Sequence, residues 1–126
     1  MLHLGLVAFG GAIGAASRHL VNLAALRLLG PGFPAGTLTV NVVGGLLMGL
    51  LAGYFALRHE GGGQAMRLFL ATGVLGGFTT FSAFSLDAVL LWERGDVAAA
   101  TGYVLLSVVL SIGALLVGLA IMRAVA

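Results

Sequence analysis

Four apolar stretches, each long enough to cross a bilayer, govern what this chain can become. They run over residues 4–29, 37–57, 68–92 and 97–121, and about 20 apolar residues suffice to span a hydrocarbon layer of roughly 30 Å. The surplus in the longer ones is taken up by tilt. Apolar residues make up 60 % of the 126 and charged residues 8 %, whereas an ordinary soluble domain carries about 25 % charged residues. So few charges cannot cover a surface in water. The expectation is an all-α integral membrane protein, a single membrane domain over residues 1–126 with four transmembrane helices. The first stretch is expected to be a span and not a cleaved leader, because it lacks a basic start and an obvious cleavage site and runs on too far.

The remaining composition excludes several classes. Six Arg and no Lys face four acids, for a net charge of +2, and form no basic cluster of the kind that binds nucleic acid. Cysteine is absent, which removes disulfides, thiolate metal sites and redox chemistry. No nucleophile–base pair or metal cluster occurs at usable spacing, so an enzyme is the least supported reading. His3 and His59 lie at span ends without ligand spacing.

Loop arginines orient membrane proteins, and here they nearly balance. The N-terminus, the loop with Arg58 and Arg67, and the tail with Arg123 share one side, against Arg27 and Arg94 on the other. A chain with so weak a signal can insert both ways, which permits an antiparallel homodimer; the alternative is that another cue fixes one orientation. The 21 glycines fall at packing intervals, Gly10 with Gly14 and Gly45 with Gly49 and Gly53. Small residues four apart let helix backbones approach closely in lipid.

Polar side chains are costly inside a membrane, so their positions carry information. Thr37 and Asn41 lie one turn apart at the start of the second span. Tyr103, Ser107 and Ser111 recur every four residues along the fourth, a hydroxyl stripe on one helix face. Neutral donors in a row can replace an anion's water without trapping the ion, and they can equally serve as interhelical hydrogen bonds. Both readings stand on these residues alone.

The third span reads Gly76-Gly77-Phe78-Thr79-Thr80-Phe81-Ser82-Ala83-Phe84-Ser85. Two glycines and two threonines at mid-membrane disfavour a continuous helix, and irregular backbone at that depth survives only inside protein or along a cavity. Carbonyls freed by a break can hold a small hard cation such as sodium; a plain Gly–Gly kink is the simpler account of the segment by itself. Phe81 and Phe84, three apart, project from nearly one face. Their positive ring edges can face an anion, although two Phe on a membrane helix ordinarily pack. Arg18 and Asp87 are the ionisable residues set deep in spans, each explicable as an ion-pair member or an interfacial anchor.

Taken together, this third-span motif, the second-span stretch Gly36-Thr37-Leu38-Thr39-Val40-Asn41-Val42-Val43-Gly44 and the first-span stretch Gly10-Gly11-Ala12-Ile13-Gly14-Ala15-Ala16-Ser17-Arg18-His19 resemble the Fluc family of fluoride channels (CrcB-type proteins). The resemblance covers the whole chain in length, span count and motif order. It implies an antiparallel, dual-topology homodimer in the cell membrane, plasma or bacterial inner, that exports fluoride passively through two pores along the subunit interface. It also implies a third helix broken at its centre, with the carbonyls of Gly76 and Thr79 holding one structural sodium ion on the dimer axis. By motif, the fluoride pathway maps onto Asn41, Phe81, Phe84, Tyr103, Ser107 and Ser111, with Thr37 and Ser82 nearby, and Arg18 is structural. Ala83 departs from the Ser or Thr often found between the two Phe. The competing reading, a four-span proton-coupled exporter of cations, needs an early membrane carboxylate, and the first span has none. A non-transporting membrane subunit, with the hydroxyl stripe as glue, is the third.

Overall fold

The computed structural model describes residues 1–57 and 63–125; Arg58 and His59 lie outside the described residues. α1 (Leu2–Leu29) ends at Gly30, whose φ of 76° is the left-handed conformation that glycine adopts freely, and Pro31 follows. Pro34 precedes α2 (Ala35–Leu57), where its fixed φ suits a helix start. The third span, Gln64–Glu93, divides into α3 (residues 64–78) and α4 (Phe81–Glu93). Gly95, at φ 83°, turns the chain, and the Asp96 carboxylate accepts the Ala99 N–H to start α5 (Val97–Ala124). Among the described residues, four helices are therefore long and apolar enough to cross a membrane.

Within α3, Leu68–Leu75 is wound as a π-helix, a form that concentrates at functional positions. The interruption falls at Thr79 and Thr80, both extended (ψ 161° and 124°), while Gly76 stays helical at φ −61°, ψ −37°. Both glycines stay in the helix, and Gly77 serves packing. A Cβ on Gly77 would sit 3.1 Å from the Cα of Gly11 on α1, whereas β-branched threonines adopt extended backbone readily.

α2 packs chiefly on α5, and α1 on α3. Gly45 and Gly49 abut the α5 backbone at Ser111 and Leu115, and Gly10 and Gly14 abut α3. A small core of Phe84, Leu91, Ala100 and Tyr103 joins α4 to α5. On α5, Tyr103 and Ser107 are buried and Ser111 half-buried, while Val104, Leu105, Val109 and Ile112 are exposed. The hydroxyl stripe thus faces inward.

Candidate functional site

Where the third span loses its helix, side chains take over the backbone groups. Asn41 of α2 holds Thr80 at both its backbone groups: Oδ1 accepts the Thr80 N–H at 2.8 Å and Nδ2 donates to the Thr80 carbonyl at 3.0 Å. That pair fixes the amide's orientation and leaves one Nδ2–H unspent. Thr80 caps α4, its Oγ1 accepting the Ala83 N–H at 3.1 Å, with the Ser82 hydroxyl 3.4 Å away. Because the cap uses the backbone of Ala83, a hydroxyl at that position is not needed for it. Thr79 donates its hydroxyl to the Leu75 carbonyl at 3.0 Å. Arg18 of α1 donates from Nε to the Gly77 carbonyl at 3.1 Å, which sets its positive charge at the C-terminal end of α3, where the helix dipole favours it.

A cavity of about 410 Å³ lies beside the break, between α2, α4 and α5. Asn41, Thr80, Phe81, Phe84, Ser107 and Ser111 are among its lining residues. The side-chain oxygens of Ser107 and Ser111 are buried there and have no hydrogen-bond partner among the described residues. An unmet buried hydroxyl costs about 1–3 kcal/mol, so this cavity suits an occupant that accepts hydrogen bonds.

The Phe81 and Phe84 ring centroids are 5.5 Å apart with planes tilted by 52°. Phe84 in turn lies 5.3 Å from Tyr103, which meets Phe33 edge-on at 5.5 Å. An aromatic column therefore runs from the break toward the α1–α2 connection. Phe84 is 9 % exposed and Phe81 77 %: the first is held by its own chain, the second is not. At the column's far end the Tyr103 hydroxyl donates to Asp87 Oδ2 at 3.1 Å. A second cavity of about 380 Å³ opens there, with Asn22, Thr37, Asp87 and Arg94 in its wall. Arg94 Nη2 donates to the Gly32 carbonyl at 2.9 Å and so braces that wall.

Of the residues singled out by sequence, Asn41, Phe81, Phe84, Ser107 and Ser111 converge on the first cavity. Thr37 lines the second, Tyr103 is fully buried between them against Phe84 and Asp87, and Ser82 is exposed beside Thr80. Thr80 and Asn22 were not among the sequence candidates, and Asp87 had no assigned partner. A threonine placed three residues before Ala83 at a helix start is a capping signal that identifies Thr80; no local pattern pairs Asp87 with Tyr103. Among the described residues no group of three His, Cys, Asp or Glu comes together.

Comparison with known proteins matches residues 5–119 to the family model described as CrcB-like protein, Camphor Resistance (CrcB). The chain is 60 % identical over 117 residues to the fluoride-specific ion channel FluC of Paracoccus denitrificans, covering 93 % of this chain and 91 % of that one. It is 57 % identical over 120 residues to FluC of Rhodopseudomonas palustris, covering 95 % and 96 %. To FluC of Mesorhizobium japonicum it is 54 % identical over 123 residues, 98 % of each chain.

Proposed function

The chain belongs to the CrcB-like family, and from that premise we propose that it conducts fluoride through the cavity beside the helix break. It is a multi-pass protein of the cell membrane, a channel and not an enzyme. The observation that carries the fluoride pathway is the pair of buried, unpartnered hydroxyls on Ser107 and Ser111, facing a cavity shared with Asn41, Phe81 and Phe84. Fluoride is small and strongly hydrated, so a pore must replace its water with several donors at short range. The two serines offer rotatable O–H groups and Asn41 its remaining N–H. Ring edges of Phe81 and Phe84 supply a weaker positive potential, which passes the ion on where a fixed charge would hold it. Arg18 donates its Nε–H to the Gly77 carbonyl and acts structurally.

Transport is passive and runs down the fluoride gradient out of the cytoplasm, lowering the ion's toxicity. Purified protein in liposomes, followed with a fluoride-selective electrode, tests this. Fluoride should leave without any proton gradient while chloride stays. Release only when a proton gradient is imposed would instead mark a coupled carrier, and equal chloride release would overturn the selectivity.

The working unit is an antiparallel homodimer with two pores along its interface. Its support is the balance of Arg27 and Arg94 against Arg58, Arg67 and Arg123, together with the exposure of Phe81, which lines the cavity yet is left uncovered by its own chain. The chain has no cysteine of its own. A single cysteine appended at the C-terminus should react with impermeant reagents from both sides of the membrane in cells; reaction from one side alone would rule out dual insertion.

A structural sodium ion on the dimer axis completes the proposal. The Gly76 and Thr79 carbonyls fit it: they are neutral oxygens, one at the interruption and one in the helical turn before it, the donor type that suits a hard cation. Bound there, the ion would neutralise converging carbonyl dipoles and hold the two breaks together.

A further inference from the structure

We propose that Asn41 and Thr80 are positioning residues that free the Gly76 and Thr79 carbonyls for the cation, by capturing the two backbone donors that would otherwise cap them. The inference rests on the sodium site proposed above and names the groups that create it. In a continuous α-helix each carbonyl accepts the N–H four residues further on. Gly76 would therefore receive the N–H of Thr80, and Thr79 that of Ala83. Both donors are diverted to side chains: the Thr80 N–H goes to Asn41 Oδ1 at 2.8 Å, and the Ala83 N–H goes to Thr80 Oγ1 at 3.1 Å.

Three other carbonyls around the break have partners. Leu75 accepts both the N–H and the hydroxyl of Thr79, each at 3.0 Å. Gly77 accepts from Arg18 at 3.1 Å, and Thr80 from Asn41 at 3.0 Å. A carbonyl deprived of its donor is costly in a membrane, and a Thr or Asn side chain that captures a backbone N–H competes with the helix for that donor. Here the two captures fall on the donors belonging to the two candidate ligands. Asn41 consequently serves two sites: its Oδ1 shapes the cation side of the break while its spare N–H faces the anion cavity. Loss of the cation and loss of fluoride conduction are thereby linked through one side chain.

The test is thermal unfolding of the purified protein, titrated with sodium against a constant background of N-methyl-D-glucamine. Thr80→Val keeps volume and β-branching but removes Oγ1; Thr80→Ser restores the acceptor; Asn41→Leu removes both amide contacts. The parent should be stabilised by sodium. In Thr80→Val and Asn41→Leu the sodium needed for half the effect should rise about tenfold or more, a ratio equivalent to about 1.4 kcal/mol, while Thr80→Ser stays near the parent. A role in general stability alone would lower the midpoint equally with and without sodium and leave the titration unmoved, which would overturn the inference. If Asn41→Leu yields no folded protein, the Thr80 pair decides. A parent that melts identically in both cations overturns the sodium site itself, and the inference with it; a sodium-responsive parent with unchanged variants overturns the inference alone.

Discussion

Replacing Phe81 and Phe84 together by Ile should abolish fluoride efflux from liposomes while leaving the protein folded. A desolvated cation over a ring face gains about 2 kcal/mol; an anion at the positive ring edge meets the same quadrupole from its other side, and with an effect of that order each 1.36 kcal/mol added to a barrier slows a step about tenfold. Removing one ring should therefore cost roughly ten- to thirtyfold in flux, and removing both should bring efflux down to that of protein-free vesicles. The two positions separate conduction from packing. Phe84 belongs to the core with Leu91, Ala100 and Tyr103, so its replacement also loosens the α4–α5 contact, by under about 1.5 kcal/mol for a swap of similar bulk. Phe81 is 77 % exposed on its own chain, and Phe81→Ile should leave the melting temperature of the isolated fold almost unmoved. If the single Phe81→Ile variant passes fluoride at the parental rate, the ring edges play no part in the pathway.

That contrast between the two rings was not legible in the sequence, where Phe81 and Phe84 look equivalent at a spacing of three. What the sequence does carry is whatever depends on near neighbours along the chain. Tyr103, Ser107 and Ser111 read as one stripe because α5 is an unbroken helix, and a period of four then maps directly onto a face. An irregular third span followed from the local preferences of Gly76, Gly77, Thr79 and Thr80, and the structure narrows the interruption to the two threonines. Gly77 stays helical and packs against Gly11 of α1, a distant contact that no local pattern announces. Asn41 was legible as a costly polar group in a membrane, yet its partner Thr80 lies 39 residues away, and nothing in the second span marks an amide that clamps a distant backbone. Asp87 and Tyr103 are the same case on a smaller scale, joined by 3.1 Å across the α4–α5 hairpin.

The other large effect belongs to Gly14, and it follows from how little side chain stands between α1 and α3. Gly14 faces the backbone of the third span just ahead of the break: a Cβ there would collide with the Val74 carbonyl oxygen and come within 2.7 Å of the Phe78 nitrogen. Neither obstacle is the end of a flexible side chain that can swing away. Overpacking a close interface costs about 1–3 kcal/mol when side chains can yield, and with only backbone to move the cost should exceed that range. Close approach is also what brings Arg18, one turn beyond Gly14, within 3.1 Å of the Gly77 carbonyl. Gly14→Val should therefore push α1 off α3, break the Arg18 contact and yield little or no folded protein. Gly11→Ala is the matched control, since a Cβ at Gly11 meets nothing within 4 Å, and it should purify and melt like the parent. Equal yields and melting temperatures for the two variants would mean that α1 does not seat against the break as closely as its glycines allow, and the Arg18 contact would then lose its structural basis.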